Sequence, residues 1–338
     1  MKVLVYFQPS PKHDNFEGAR MRKTIKGALE VIGQTYTSNL YDDYDVAHFM
    51  SPTDENKLNI VLERKVPIVI SALFGEDDPS TRFLDHKVKK GETIITLKPR
   101  AIKVLNKASL ILVPCKSAKD LLIKLGINKP IEILVPGVNL ARFNFSREDE
   151  KELFYRYFRE EKNKKIVLAM GEYTNNMEGI NSLINAAKKK EDALFYYIGC
   201  ETFAANYGNC KKIIKNAPKN VHFKTILPDD IYRSLLLNAD VFMLTGCNLS
   251  GFVSIEEAMA ANCQLIVRES AIFPELLVNE KTAYITDSSE KLTSLCVDYL
   301  DGKINSTTQA AYQEISEFNL NVFGQGLLNV YNSLTAKK

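Results

Sequence analysis

The sequence predicts an α/β protein made of two Rossmann-like halves, each a mostly parallel sheet covered by helices on both faces. Three observations carry this. Short apolar runs such as Val3-Leu4-Val5-Tyr6, Ile68-Val69-Ile70 and Leu110-Ile111-Leu112-Val113 alternate with stretches of helical period. Runs that are apolar throughout, rather than at every second residue, are those of strands buried on both faces. The alternation breaks at residues 146–165, SREDEKELFYRYFREEKNKK, and restarts at Ile166-Val167-Leu168-Ala169-Met170. Finally, a chain of 338 residues suits two domains.

Taken in order, residues 2–7 form an apolar strand that stops at Gln8-Pro9-Ser10-Pro11. Helical spacing over 20–32 puts Ile25, Ala28, Leu29 and Ile32 on one face. Strands follow at 45–49, 67–70, 110–113 and 131–135, with helices at 55–64, 100–107 and 117–125, the last ending at Gly126. After the charged segment come strand 166–170, loop 171–179, helix 180–188, strands 194–198 and 221–223, and helix 229–238. Strand 241–244 leads through the small-residue turn Asn248-Leu249-Ser250-Gly251 into a helix expected to open near Ser254. Strand 264–267, strand 283–285, helix 288–299 and a final helix near 321–334 complete the chain. In such sheets ligands bind at the carboxyl ends of the strands, so the cleft between the two halves is the expected site.

Composition narrows the function classes. Hydrophobic residues make up 45% and charged residues 25%, as in ordinary globular domains. A net charge of +3 is too small for a general nucleic-acid binder. The positive excess is confined to residues 1–140, where 21 Lys and Arg face 16 Asp and Glu, a bias that favours an anionic membrane surface. No apolar window approaches the ~18 residues of a membrane span, and the N-terminal run is too short for a signal peptide. The six cysteines form no Cys-x-x-Cys pair and read as buried thiols of a reducing, cytoplasmic compartment.

Residues 247–268, CNLSGFVSIEEAMAANCQLIVR, concentrate the chemistry. A strand, a tight turn and a helix N-terminus aim backbone N–H groups and a positive dipole end at one spot, which suits a phosphate. A carboxylate in the first helical turn can then accept from a sugar diol. Glu257 has a second reading, since Ser254-x-x-Glu257 has the spacing of a capping box. No Asp-x-Asp metal signature stands in a suitable setting, so no metal and no cofactor is expected.

Four segments occur in a telling order: Phe16-Glu17-Gly18-Ala19-Arg20; Val135-Pro136-Gly137-Val138-Asn139 with Phe143 just after; residues 166–171; and Glu256-Glu257-Ala258-Met259-Ala260-Ala261. On these the chain resembles the family-4 retaining glycosyltransferases of GT-B fold. Asp42-Asp43-Tyr44-Asp45-Val46-Ala47-His48 and Ile266-Val267-Arg268-Glu269 resemble the bacterial (di)glycosyl-diacylglycerol synthases, which add a second hexose to monoglucosyl-diacylglycerol.

Residues 146–165 read from their charge as a surface helix and linker; the resemblance implies an acceptor domain at 1–145, a nucleotide-sugar domain at 166–317 and a helix over about 318–338 that crosses back to the first domain. It implies transfer of a hexose from a UDP-sugar to a membrane glycolipid at the cytoplasmic face. Glu257 would hold the nucleotide ribose. Gly18, Ser250 and Gly251 would approach the phosphates through backbone, and Arg20 and Arg268 would supply positive charge. The basic segment 82–107, with Ile102, Val104 and Leu105 among its lysines, would meet the anionic membrane; its other reading is a solvated helix packed on its domain. At four positions the family pattern is replaced: Leu73 for a His, Glu172 and Glu178 for the Arg and Lys of the diphosphate clamp, and Leu249 for the first Glu of a Glu-x7-Glu motif. Two alternatives follow: a degenerate glycosyltransferase-like binding or partner subunit, or a transferase acting on a soluble or polysaccharide acceptor. No side chain is singled out as catalytic. His48, a lone His at a strand end, reads as structural.

Overall fold

A computed structural model describes residues 1–7, 17–50, 55–72, 83–89, 92–144, 146–170, 177–199, 212–224, 227–245, 252–269 and 274–336. The chain divides into two compact units, Met1–Asn139 with Phe318–Lys338, and Leu140–Glu317.

The first unit opens with β1 (Val3–Tyr6), α1 (Glu17–Val31), β2 (Tyr36–Thr37), β3 (Val46–Phe49), α2 (Glu55–Glu63) and β4 (Ile68–Ser71). A hairpin of β5 (Leu84–Lys89) and β6 (Glu92–Leu97) follows, then α3 (Pro99–Leu105), β7 (Leu110–Val113), α4 (Lys116–Lys124) and β8 (Ile131–Ile133). The main sheet runs β2-β1-β3-β4-β7-β8, every pair parallel. Val3, Leu4, Val5, Val69 and Ile70 are wholly buried, as strands covered on both faces require.

The hairpin is new relative to the sequence reading. Its strands pair antiparallel from Leu84↔Leu97 to Lys89↔Glu92, where the residues had read only as a basic run. The segment after it also departs from a membrane-facing helix. α3 spans seven residues, with Pro99 in its first turn, and turns Ala101, Val104 and Leu105 into the core. Lys107 pairs with Glu55 at 3.0 Å and donates to Asn59. The apolar face expected to meet lipid is therefore committed to the domain, leaving Arg100, Ile102 and Lys103 exposed.

The second unit holds α5 (Glu148–Phe158), β9 (Ile166–Met170), α6 (Met177–Lys189), β10 (Leu194–Ile198), β11 (Val221–Lys224), α7 (Asp229–Asn238), β12 (Val241–Leu244) and α8 (Phe252–Ala260). It continues with β13 (Gln264–Arg268), β14 (Tyr284–Thr286), α9 (Ser289–Leu300) and α10 (Thr308–Ser316). Its parallel sheet runs β11-β10-β9-β12-β13-β14.

The charged stretch 146–165 folds as part of this unit rather than as a linker. Glu148, Asp149 and Glu150 occupy the first turn of α5, where the helix dipole favours acids. Phe154 is fully buried and lies edge-on to Tyr196 at 5.4 Å. The Phe154 N–H donates to Ser234 Oγ, whose hydroxyl in turn donates to the Glu150 carbonyl. Phe154 and Phe158, both packed against the Tyr196 ring, anchor the helix among its charges.

The chain then re-enters the first unit as α11 (Leu320–Thr335). Asn319 caps it, accepting from the Asn321 and Val322 N–H groups, and the Val138 N–H donates to the Phe318 carbonyl at 2.9 Å. Glycine allows the close approach: a Cβ at Gly324 would lie 2.6 Å from the Ala28 carbonyl oxygen, and one at Gly137 would lie 2.7 Å from Phe323 Cβ. Such a backbone clash outweighs the roughly 1 kcal/mol of helix propensity that alanine would add.

A buried polar chain fastens the same helix. His48 Nδ1 lies 2.7 Å from the Tyr331 hydroxyl and Nε2 lies 2.7 Å from Ser71 Oγ, with His48 and Tyr331 both fully buried. One ring nitrogen donates and the other accepts, so the neutral imidazole satisfies both partners. His48 is structural, and burial lowers its pKa from the usual 6.5 to about 3.

The unfolded chain thus takes up a proton that the folded one refuses. Stability is full above pH 6.5 and falls as pH drops toward about 3. Urea denaturation at about pH 7 and about pH 5 should show a His48-dependent loss of at most about 1.4 kcal/mol per pH unit. An equal acid loss in His48→Asn would refute this.

Candidate functional site

The strand order of the second unit dictates where its ligand-facing groups lie. From β9 the chain moves outward through β10 and β11, then returns to add β12, β13 and β14 on the other side. The reversal falls between β9 and β12, which pair in parallel from Val241↔Val167 to Leu244↔Met170. Crevices form outside the carboxyl ends of strands at such a reversal. α6 begins at Met177 after β9, and α8 begins by Phe252 after β12.

Every residue of α8 is buried, Glu256 and Glu257 included. Ser254 is the third residue of that helix. An N-cap must precede the first helical residue, so the capping-box reading of Ser254 and Glu257 is set aside. Glu257, 6% exposed, is instead met by a group from another helix. The Tyr232 hydroxyl on α7 donates to Glu257 Oε2 at 2.8 Å, and Tyr232 is fully buried. A buried carboxylate without a donor costs several kcal/mol. The Tyr232 hydroxyl is one such donor.

Arg268 is the last residue of β13. Its Nη1 donates to Glu178 Oε2 at 2.8 Å and to Ser289 Oγ at 2.7 Å, and the Ser289 hydroxyl lies 3.3 Å from the same carboxylate oxygen. The Arg268 guanidinium holds the Glu178 carboxyl below its usual range. Glu178 comes from the first turn of α6 and Ser289 opens α9, so two helix starts and a strand end meet at one ion pair. The arginine side chain is 15% exposed and the glutamate 71%, which leaves the carboxylate facing solvent.

The other sequence-derived candidates belong to the first unit or lie outside the described residues. Gly18 and Arg20 belong to α1 in the first unit. A Cβ at Gly18 would come within 2.9 Å of the Phe7 ring, so close packing also demands glycine there. Arg20 is 3% exposed, and Glu17 three residues earlier is 2% exposed. Ser250, Gly251, Leu73, Glu172 and Leu249 lie outside the described residues. Among those described, no three His, Cys, Asp or Glu side chains gather as a metal site, and no helix is long and apolar enough to cross a membrane. Sequence reasoning missed Tyr232 and Ser289. Tyr232 reads as one more apolar position of α7, and nothing local marks a partner 25 residues away.

Comparison with known proteins places this arrangement. Residues 151–308 match the family described as "Glycosyl transferases group 1". Those residues make up just under half of the chain. The chain as a whole is 22% identical over 339 residues to the processive diacylglycerol alpha-glucosyltransferase of Acholeplasma laidlawii, covering 99% of this chain and 98% of that protein. It is 26% identical over 140 residues to the alpha-galactosylglucosyldiacylglycerol synthase of Streptococcus pneumoniae (strain ATCC BAA-255 / R6), covering 40% of this chain and 37% of the relative. Among solved structures, Anabaena HepE in complex with UDP-glucose aligns with a TM-score of 0.73 at 15% identity, over 99% of this chain and 100% of that one. A glycosyltransferase from Rickettsia africae aligns at 0.65 and 14% identity, over 98% of both chains. The fold is GT-B, and the chain is a glycosyltransferase.

The Arg268–Glu178 pair contributes little to the stability of the fold. Because the carboxylate is mostly exposed, Glu178→Gln should change unfolding free energy by less than about 1 kcal/mol. A larger loss in urea denaturation would contradict this.

Proposed function

We propose that this transferase moves a hexose from a UDP-sugar to a membrane glycolipid, with retention at the anomeric carbon, while seated peripherally on the inner face of the cell membrane. The observation that carries the proposal is the end-to-end likeness, at 99% of this chain, to a protein named as a processive diacylglycerol alpha-glucosyltransferase. The UDP-glucose held by HepE, a structural relative over its whole length, supports the donor. Glu257 supports it from within: a buried carboxylate on the helix after β12 is suited to a ribose diol.

Retaining transfer requires the acceptor oxygen to reach the anomeric carbon from the face that the diphosphate leaves. The bond from that carbon to the phosphate oxygen breaks, the bond to the acceptor oxygen forms, and the acceptor proton ends on the released UDP. Two negative phosphates then need positive charge or N–H groups around them. In this proposal Arg268 supplies the charge from the end of β13, and the 250–251 turn and Gly18 supply backbone.

Glu178 opposes this, since a carboxylate about 5 Å from a phosphate oxygen costs about 3 kcal/mol at an effective dielectric near 20. Its pairing with Arg268 offsets most of that field, so the acid is tolerable as a partner of the arginine. No metal is required in this scheme, and activity should persist in chelator.

Calorimetry with UDP, UDP-glucose and UDP-galactose, followed by transfer to monoglucosyl-diacylglycerol in vesicles, tests the reading. We expect Glu257→Ala and Arg268→Gln each to weaken UDP binding about tenfold or more, and Glu178→Gln to strengthen it. Absence of heat with all three nucleotides would sink the donor assignment. Binding without transfer would favour the reading as a partner subunit, and transfer only to soluble sugars would remove the lipid acceptor.

Membrane contact rests on the smaller exposed patch, Arg100, Ile102 and Lys103. The protein should float with anionic vesicles at low salt and less so at high salt. Charge reversal at Arg100 and Lys103 should abolish flotation, and unchanged flotation would exclude this patch.

A further inference from the structure

Tyr232 belongs to none of the sequence motifs, yet its hydroxyl touches the carboxylate on which donor recognition is proposed to turn. We infer that Tyr232 is a positioning residue for the nucleotide ribose: by donating to Glu257 Oε2 it sets the rotation of the carboxylate that receives the ribose diol. The inference rests on the ribose role proposed for Glu257.

The terminal torsion of a glutamate is broad, so a carboxylate on three methylene-linked rotors does not hold one plane by itself. Two vicinal hydroxyls ask for acceptors at one fixed separation and tilt. A donor fixed to the protein frame removes that freedom before the ligand arrives, which lowers the ordering cost of binding.

Tyr232 meets the requirements of such a donor. Its ring is fully buried on α7 beside Ile231, Leu235 and Leu236, all buried, so the hydroxyl position is set by packing. The 2.8 Å contact is a good O–H···O distance. A hydroxyl donates a single hydrogen bond, and a carboxylate oxygen has two lone pairs. A phenylalanine would fill almost the same space. Packing alone therefore does not account for a tyrosine here, and the two roles can be separated.

The experiment compares UDP with its dideoxyribose analogue, which lacks both hydroxyls, by calorimetry on the full chain and on the variants Tyr232→Phe and Glu257→Gln. Tyr232→Phe is expected to weaken UDP binding about tenfold while moving the analogue by no more than about twofold. Glu257→Gln should show the same selective loss, at least as large. If Tyr232→Phe weakens both ligands alike, or neither, while Glu257→Gln remains selective, the positioning role falls and the ribose role of Glu257 stands. If Glu257→Gln is not selective, the ribose reading itself falls and takes this inference with it. Should Tyr232→Phe fail to fold, a fluorotyrosine at the same position keeps the ring and donates more strongly. It should then raise the discrimination between the two ligands, and an unchanged ratio would overturn the proposal.

Discussion

A parallel strand cannot turn straight back onto its neighbour. The chain must cross the sheet first, usually as a helix, and every strand then ends on the same edge. This constraint organises both units. Each is a six-stranded parallel sheet whose inner strands are buried on both faces. In the second unit it sends Met170, Leu244 and Arg268 to one edge, although they are far apart in the chain. Helices that start from that edge bring their N–H groups with them. Chemistry that needs phosphates held and a sugar oriented can be assembled there from loop ends, while the rest of the sheet supplies only rigidity.

Two acids of the second unit are each held by a partner from another element. Arg268 is tied to Glu178 and Ser289, and Glu257 is tied to Tyr232. In the first pair opposite charges cancel at long range and leave a short-range dipole, with the acid outermost. In the second a buried hydroxyl donates to a buried acid. The two carboxylates are therefore different in kind, and their environments separate them: one is 71% exposed on its side chain, the other almost enclosed.

The fold was legible because a doubly covered strand has little choice of composition. Val3-Leu4-Val5 or Val167-Leu168-Ala169 can hardly be anything but buried strands. The hairpin over 84–97 was less legible, since its lysines masked the alternation that marks a strand pair. The charged stretch 146–165 misled in the same way: the burial of Phe154 outweighs the charges around it. For the site, sequence could mark Glu257 and Arg268 through local pattern. It could not pair Arg268 with Glu178, 90 positions away, or bring Tyr232 to Glu257, because those contacts are made by the tertiary fold alone. α8 already includes Phe252 and Val253, so Ser254, which the local pattern marks as a cap, lies inside the helix.

The return of α11 to the first unit has a consequence for how the protein is made. His48 and Tyr331 are separated by 283 positions, with the whole second unit encoded between them. During synthesis the first unit leaves the ribosome early but lacks the helix that covers His48 and seats against Ala28. Until residues 320–335 emerge, it carries an imidazole and an apolar strip that its final structure hides completely. The unit whose strands are made first thus receives this helix only after the second unit has been made.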